Sequence, residues 1–185
     1  MLWAIPIGLI LGRLLGGRIE RLSALHFRWG ALAVGGLLVQ VVLFSPAGGA
    51  LAGGFGPIVY VASTVAVLVA VLANLRIPGM ALVALGSVSN LAAIVANGGA
   101  MPADPAALAL AGFSGPGENT NSVVVAQPAL QALTDIYAVP ASVPFANVFS
   151  VGDVLIAIGI VIAIVAVMRQ QMTPAGPNAL EASAG

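Results

Sequence analysis

Two carboxylates, Asp135 and Asp153, are the residues of this chain with the most chemistry open to them. They lie 18 residues apart, and Asp153 opens the last long apolar run, in Phe149-Ser150-Val151-Gly152-Asp153. Two carboxyls about 3 Å apart cannot both ionise, so one pKa rises and the pair can act on a water as acid and base together. That is the chemistry of peptide hydrolysis. A simpler role is also open to Asp153. An acid in the first turn of a helix is favoured by the helix dipole by about 0.3–1 kcal/mol, and Ser150 or Asp153 can cap free backbone N–H groups for about 1 kcal/mol. Asp135 alone reads as a turn residue before a proline-broken stretch.

A second polar set is Ser87, Asn90 and Asn97, whose offsets of 0, 3 and 10 place them along one helical face. An Asn inside hydrocarbon is costly unless paired, so this face points into a bundle. Interhelical hydrogen bonds of around 0.6–2 kcal/mol each are one use for it, with Gln40 and Asn74 as candidate partners. A pocket floored by Asn90 and rimmed by Asn97 and Asp153 is the other, and it suits a lipid headgroup or a peptide. The lone histidine, His26, sits among arginines and reads as an interfacial residue. With no cysteine and one histidine, disulfides, thiolate metal sites, iron–sulfur clusters, a zinc site and bis-histidine haem are all excluded, and no cofactor is expected.

The elements that must position these residues are apolar. Of 185 residues 60% are hydrophobic and 12 carry a formal charge, six of each sign. Mean hydropathy is +1.10, whereas a soluble domain has about a quarter of its residues charged. A soluble enzyme domain, a nucleic-acid binder and a disordered chain are ruled out, and the lipid bilayer is the first partner. Five apolar stretches stand out: Met1–Leu15, Trp29–Ser45, Ile58–Leu75, Met80–Val95 and Val151–Met168. Eighteen residues at about 1.5 Å each reach roughly 27 Å, enough for a bilayer core. The first stretch is short and spans only if Arg13 snorkels to the headgroups. Val and Ile richness does not argue for strands, because a lone strand in lipid leaves its backbone unpaired.

Arg13, Arg18, Arg21, Arg28, Arg76 and Arg169 all fall on one side if five helices cross alternately, and Asp104, Glu118, Asp135 and Asp153 fall on the other. The positive-inside rule then puts the N-terminus outside and the C-terminus in the cytoplasm. A cleavable signal peptide is not expected, since the basic residues follow the first apolar run instead of preceding it. Gly16–Arg28 and Arg76–Gly79 are short turns, and Pro46–Pro57 is a Gly- and Ala-rich outer loop. Residues 98–150 form a long outer loop, too long to be a plain connection. Within it Pro105–Gly112 is a candidate short helix and Ser114–Ser122 reads as a turn-rich stretch. The membrane domain thus covers 1–172, and 173–185 is expected to be a disordered cytoplasmic tail. No inverted repeat and no ionisable group deep in a span argue for coupled transport.

The motifs that bracket the long loop carry a resemblance. Asn90 leading to Asn97-Gly98-Gly99-Ala100-Met101-Pro102, the Phe149-Ser150-Val151-Gly152-Asp153 helix start, and the Gly12–Arg18 first turn resemble a bacterial membrane family catalogued as domain of unknown function 5317. The resemblance extends over roughly residues 1–168 and implies five hydrophobic segments and an Asp before a proline-rich stretch, here Asp135. It implies no established activity. In outline the Asp135/Asp153 pair and the Asn147–Asp153 helix start also resemble lipoprotein signal peptidases, intramembrane aspartyl proteases with a catalytic Asp pair on the outer side. The Gly-Asn-x-x-Asp-Arg element of those enzymes is missing, since Leu91-Ala92-Ala93-Ile94 follows Asn90.

The chain therefore reads as an all-α bundle of five transmembrane helices in a bacterial cytoplasmic membrane. Its leading function is non-enzymatic, an accessory or binding protein whose outer-face pocket (Asn90, Asn97, Asp153) engages a lipid, a peptide or a partner subunit. The alternative is an aspartyl hydrolase using Asp135 and Asp153.

Overall fold

Apolar helices pack most closely where small side chains let two backbones approach, and that rule sets the architecture here. The computed structural model describes residues 3–113 and 122–170. Glu118, most of the turn-rich 114–122 stretch and the expected 173–185 tail lie outside the described residues. The chain is mostly helical: α1 Ala4–Leu14, α2 Gly30–Leu43, α3 Pro46–Ala52, α4 Gly56–Leu72, α5 Met80–Ala96, α6 Pro105–Leu110 and α7 Val151–Arg169. Helices α1, α2, α4, α5 and α7 coincide with the five apolar stretches to within three residues at each end. Two helical runs are long and apolar enough to cross a membrane, Pro46–Leu72 and Val151–Arg169. Helices α1, α2 and α5 are apolar but shorter; α1, with 11 residues, reaches about 16 Å.

The Pro46–Pro57 stretch, expected as loop, is largely helical. Ser45 accepts a hydrogen bond from the Gly48 N–H, and Pro46 fills a first-turn position whose missing N–H would have had no helical partner.

The five long helices pack in the order α2–α4–α5–α7–α1. At the α5–α7 crossing Gly79 lies against Gly159 and Ala163, and Gly86 lies against Gly152 and Ile156, so these helices are antiparallel. On α1, Ala4, Gly8 and Gly12 form the buried stripe, every fourth residue. Gly8 meets Ile164 and Gly12 meets Met168, so α1 runs parallel to α7 in constant register, with Ala4 level with Ile160. The Gln40–Thr64 hydrogen bond of 3.2 Å and the packing of Gly36 on Ser63 and Val67 fix α2 antiparallel to α4. Leu68 and Val71 of α4 cluster with Met80 and Val83 of α5, and Tyr60 and Val61 with Ala93 and Ile94, so α4 and α5 are antiparallel and directions alternate along the chain through all five helices.

Because α1 and α2 stand at opposite edges of this row, the connection between them must pass beneath the others. It does so through a 3-10 turn, Ile19–Ala24. The Arg18 N–H and the Arg21 guanidinium both donate to the Met168 carbonyl, at 2.8 and 2.9 Å, and so satisfy the C-terminal end of α7. Asn74 holds the far end of the connection, its amide exchanging hydrogen bonds with the Arg28 backbone at 2.8 Å in both directions. The six arginines accordingly gather at one end of the bundle.

Residues 98–113 and 122–150 cover the other end with a folded cap. Strands β1 (Met101–Pro102) and β2 (Ser122–Val123) pair in parallel, and β3 (Tyr137–Val139) pairs antiparallel with β4 (Asn147–Phe149). Helix α6, capped by the Asp104 carboxylate on the Ala106 and Ala107 N–H groups, matches the candidate short helix. The cap has its own core, in which Ala103, Ala107, Ala111 and Val148 pack with Leu108, Phe113 and Ala138. A second cluster, Ala93, Ile94 and Met101 with Tyr60, Val61 and Leu133, joins the cap to α4 and α5.

Candidate functional site

Of the polar residues singled out in the sequence, Asn90, Ser150 and Asp153 meet where α5 and α7 enter the cap, and the helix start of α7 explains how. Ser150 is fully buried in extended conformation and its hydroxyl accepts from the Asp153 N–H at 3.1 Å. The Asp153 carboxylate returns to the Ser150 N–H at 3.1 Å, which completes a capping box. Asn90 of α5 then closes the circuit: its amide NH₂ donates to Asp153 Oδ1 and its carbonyl oxygen accepts from the Ser150 hydroxyl, both at 2.8 Å. Gly152 is what lets Asn90 in. A Cβ there would collide with the Asn90 carbonyl oxygen and come within 2.7 Å of the Gly86 carbonyl.

Asn97 is set apart from this circuit. Helix α5 ends at Ala96, and Gly98 and Gly99, at φ 73° and 88°, turn the chain in the left-handed region. The Asn97 side chain donates to the Ala129 carbonyl and accepts from the Ala129 N–H, both at 2.9 Å, and so clamps the cap to the helix. Ser87 bonds within its own helix to the Val83 carbonyl at 2.8 Å. The expected partners Gln40 and Asn74 are occupied elsewhere, by Thr64 and by the Arg28 backbone. Asn90 finds its partners on α7 instead.

Asp135 is not an exposed turn residue. It is 3% exposed and lies in the cap at a parallel bridge to Ala103. Its Oδ2 accepts from the Ser122 hydroxyl at 2.8 Å, whereas its Oδ1 is buried with no hydrogen-bond partner among the described residues. Burial pushes its pKa up to about 6; the Ser122 hydrogen bond opposes this and the nearby Asp153 charge adds to it. Among the described residues no hydrogen bond joins the two carboxyls, each of which is held by its own partners.

What pattern reasoning missed is the cavity beside Asp153. A pocket of about 70 Å³ is lined by Asp153, Asn147, Val148, Phe149, Val139, Phe145 and Trp3. Trp3, Val139 and Phe149 also line a larger groove of about 460 Å³, which continues between α1 and α7 over Ala4, Ile7, Val154, Ala157, Ile158, Val161 and Ile162. Its origin is a mismatch in length. With Ala4 level with Ile160, the first turns of α7 extend past the start of α1. The β3–β4 hairpin and Trp3 roof the gap. The Trp3 ring N–H donates to the Pro144 carbonyl at 3.2 Å, and the ring meets Phe145 edge-on with centroids 5.8 Å apart. Phe145 sits at φ 62°, a strained conformation for a bulky residue. Neither the hairpin nor this strain leaves a periodic trace in the sequence. Among the described residues, no cluster of three or more His, Cys, Asp or Glu side chains is placed to hold a metal ion.

The molecule is thus a mostly helical protein with two membrane-length helices and a carboxylate-bearing cap over one end. The chain belongs to a family of unknown function, DUF5317, whose model matches residues 24–165. The match takes in Asn90, Asn97, Asp135 and Asp153 and begins after the Gly12–Arg18 motif. No curated protein and no solved structure matches the chain.

Proposed function

We propose that the chain is a five-crossing protein of a bacterial cytoplasmic membrane, N-terminus outside, and that it works as a non-enzymatic binding or accessory protein for a lipid ligand. The membrane domain would cover 1–172, with the cap on the outer face. Three features support the topology. Helix directions alternate, and the first and last helices run parallel, as an odd number of crossings requires. All six arginines lie at the end opposite the cap, which suits the cytoplasmic side. Large apolar side chains face outward on every long helix, among them Ile10, Leu38, Val65, Leu85 and Ile158, a pattern suited to hydrocarbon surroundings.

The observation that carries the function is that the apolar α1–α7 groove adjoins the small Asp153 pocket, Trp3, Val139 and Phe149 lining both. An apolar groove with a small carboxylate-lined pocket beside it fits an acyl chain and its headgroup better than it fits a peptide, whose backbone would need hydrogen-bond partners along the groove. The hydrolase alternative has less behind it, because among the described residues no hydrogen bond joins Asp153 to Asp135 and each carboxyl is held by its own partners.

Two experiments test this reading. The chain has no cysteine, so single-Cys variants report topology directly. Ala141→Cys should react with an impermeant maleimide on intact spheroplasts, and Ala24→Cys only after lysis; the reverse result overturns the orientation. Native mass spectrometry of the purified protein should show a retained lipid that Ala157→Trp, which fills the groove, removes. Equal retention by this variant would end the lipid reading, and a stoichiometric protein partner in its place would favour a subunit role.

A further inference from the structure

We propose that this site selects an acyl lipid whose headgroup carries a primary ammonium, with the ammonium against Asp153 and the chain in the α1–α7 groove. The inference rests on the lipid reading above and narrows it to one class of ligand.

Charge is the first argument. Asp153 is the one charged residue that lines the pocket. A carboxylate offers about four acceptor positions; the amide of Asn90 and the N–H of Ser150 take two. The remaining capacity suits a group with several N–H donors. An anionic headgroup finds nothing comparable. The chain has no lysine, and its six arginines are at the far end of the bundle. The positive end of the α7 dipole, which would otherwise attract an anion, is already answered by Asp153 in its first turn.

The walls supply the second argument. Trp3 and Phe145 line the same pocket as the carboxylate, and aromatic rings attract cations, by about 2 kcal/mol when water is excluded. Phe145 is held there in a left-handed backbone conformation, strain of the kind that collects at ligand clamps. Size separates the candidate cations. A pocket of about 70 Å³ admits a primary ammonium and crowds the three added methyls of choline, which also has no N–H to donate. The groove of about 460 Å³ below it receives the chain.

The test uses the full-length protein in detergent with three single-chain probes of equal acyl length: lyso-phosphatidylethanolamine, lyso-phosphatidylcholine and lyso-phosphatidylglycerol. Trp29→Phe leaves Trp3 as the one fluorescent tryptophan, and its emission reports binding. The ethanolamine lipid should bind about tenfold more tightly than the glycerol lipid, with choline between them. Asp153→Asn should bring the three within about twofold of one another. Should that variant fail to fold, Phe145→Leu, which keeps the apolar wall and removes the ring, should lower ethanolamine affinity selectively. Equal binding of the three probes by wild-type protein, lost in Ala157→Trp, would overturn the ammonium inference and leave the lipid site standing. Absence of binding by any probe would overturn both.

Discussion

The two ends of the bundle carry their charges in opposite ways. At one end the arginines are on the surface: Arg13, Arg18, Arg28, Arg76 and Arg169 are exposed, and Arg18 meets Glu20 in an ion pair whose side chains are 66% and 72% exposed. What they do for the fold passes mainly through the backbone, as with Arg18 on Met168. At the other end each described carboxylate is built into the structure. Asp104 caps α6, Asp153 locks the α7 start to Asn90, and Asp135 is buried within the cap. A charge in water is cheap to keep and cheap to lose. A charge taken out of water must be matched by fixed donors, and removing one partner leaves the rest exposed to the full desolvation cost. The capped end should therefore be far more sensitive to substitution.

The sharpest way to break that contrast is Gly152→Ala. Its added methyl would displace Asn90 and push α7 off Gly86, and about 3 kcal/mol of stability should be lost, read as a lowered thermal midpoint in detergent. Asn90→Ala should follow at about 2 kcal/mol, because Ser150 and Asp153 each lose a buried partner.

Asp135 gives a test of different sign. Its folded pKa of about 6 lies above the ordinary carboxyl value near 4, so the folded chain holds the proton more tightly than the unfolded one. The contribution of this group to stability is greatest below pH about 4, declines as pH rises to about 6, and is level above that. Asp135→Asn should flatten that decline and raise stability at pH 7, by at most about 3 kcal/mol. An unchanged pH profile would mean that Asp135 is solvated. Asp104→Ala should cost about 1 kcal/mol through the lost α6 cap. At the opposite end, Arg18→Gln, which removes only an exposed pair, should shift the midpoint within experimental scatter. A large loss there would erase the contrast between the ends.

The long helices were legible because runs of apolar residues announce themselves by length alone, as with Val151–Arg169. The Ser150–Asp153 cap was legible for a related reason, since its residues are close in sequence. The cap over the bundle was not. Strands of two and three residues, such as Met101–Pro102 and Asn147–Phe149, are too short to show an alternating pattern, and β1 pairs with a strand some twenty residues on. Asp135 looked like a turn residue because prolines follow it, whereas its burial depends on Ala103 and Ser122 arriving from elsewhere. The groove was hidden for the same kind of reason: it comes from a difference in length between α1 and α7, helices at opposite ends of the chain.

That pairing has a consequence for the order of assembly. The stripe of Ala4, Gly8 and Gly12 finds its partner only on α7, about 156 residues later, which is roughly 8–30 s at ordinary rates of synthesis. Every other long-helix contact can form between helices that follow one another along the chain. Of these five helices the first to be made is therefore the last to be packed, and the α1–α7 groove comes into being only at that final step.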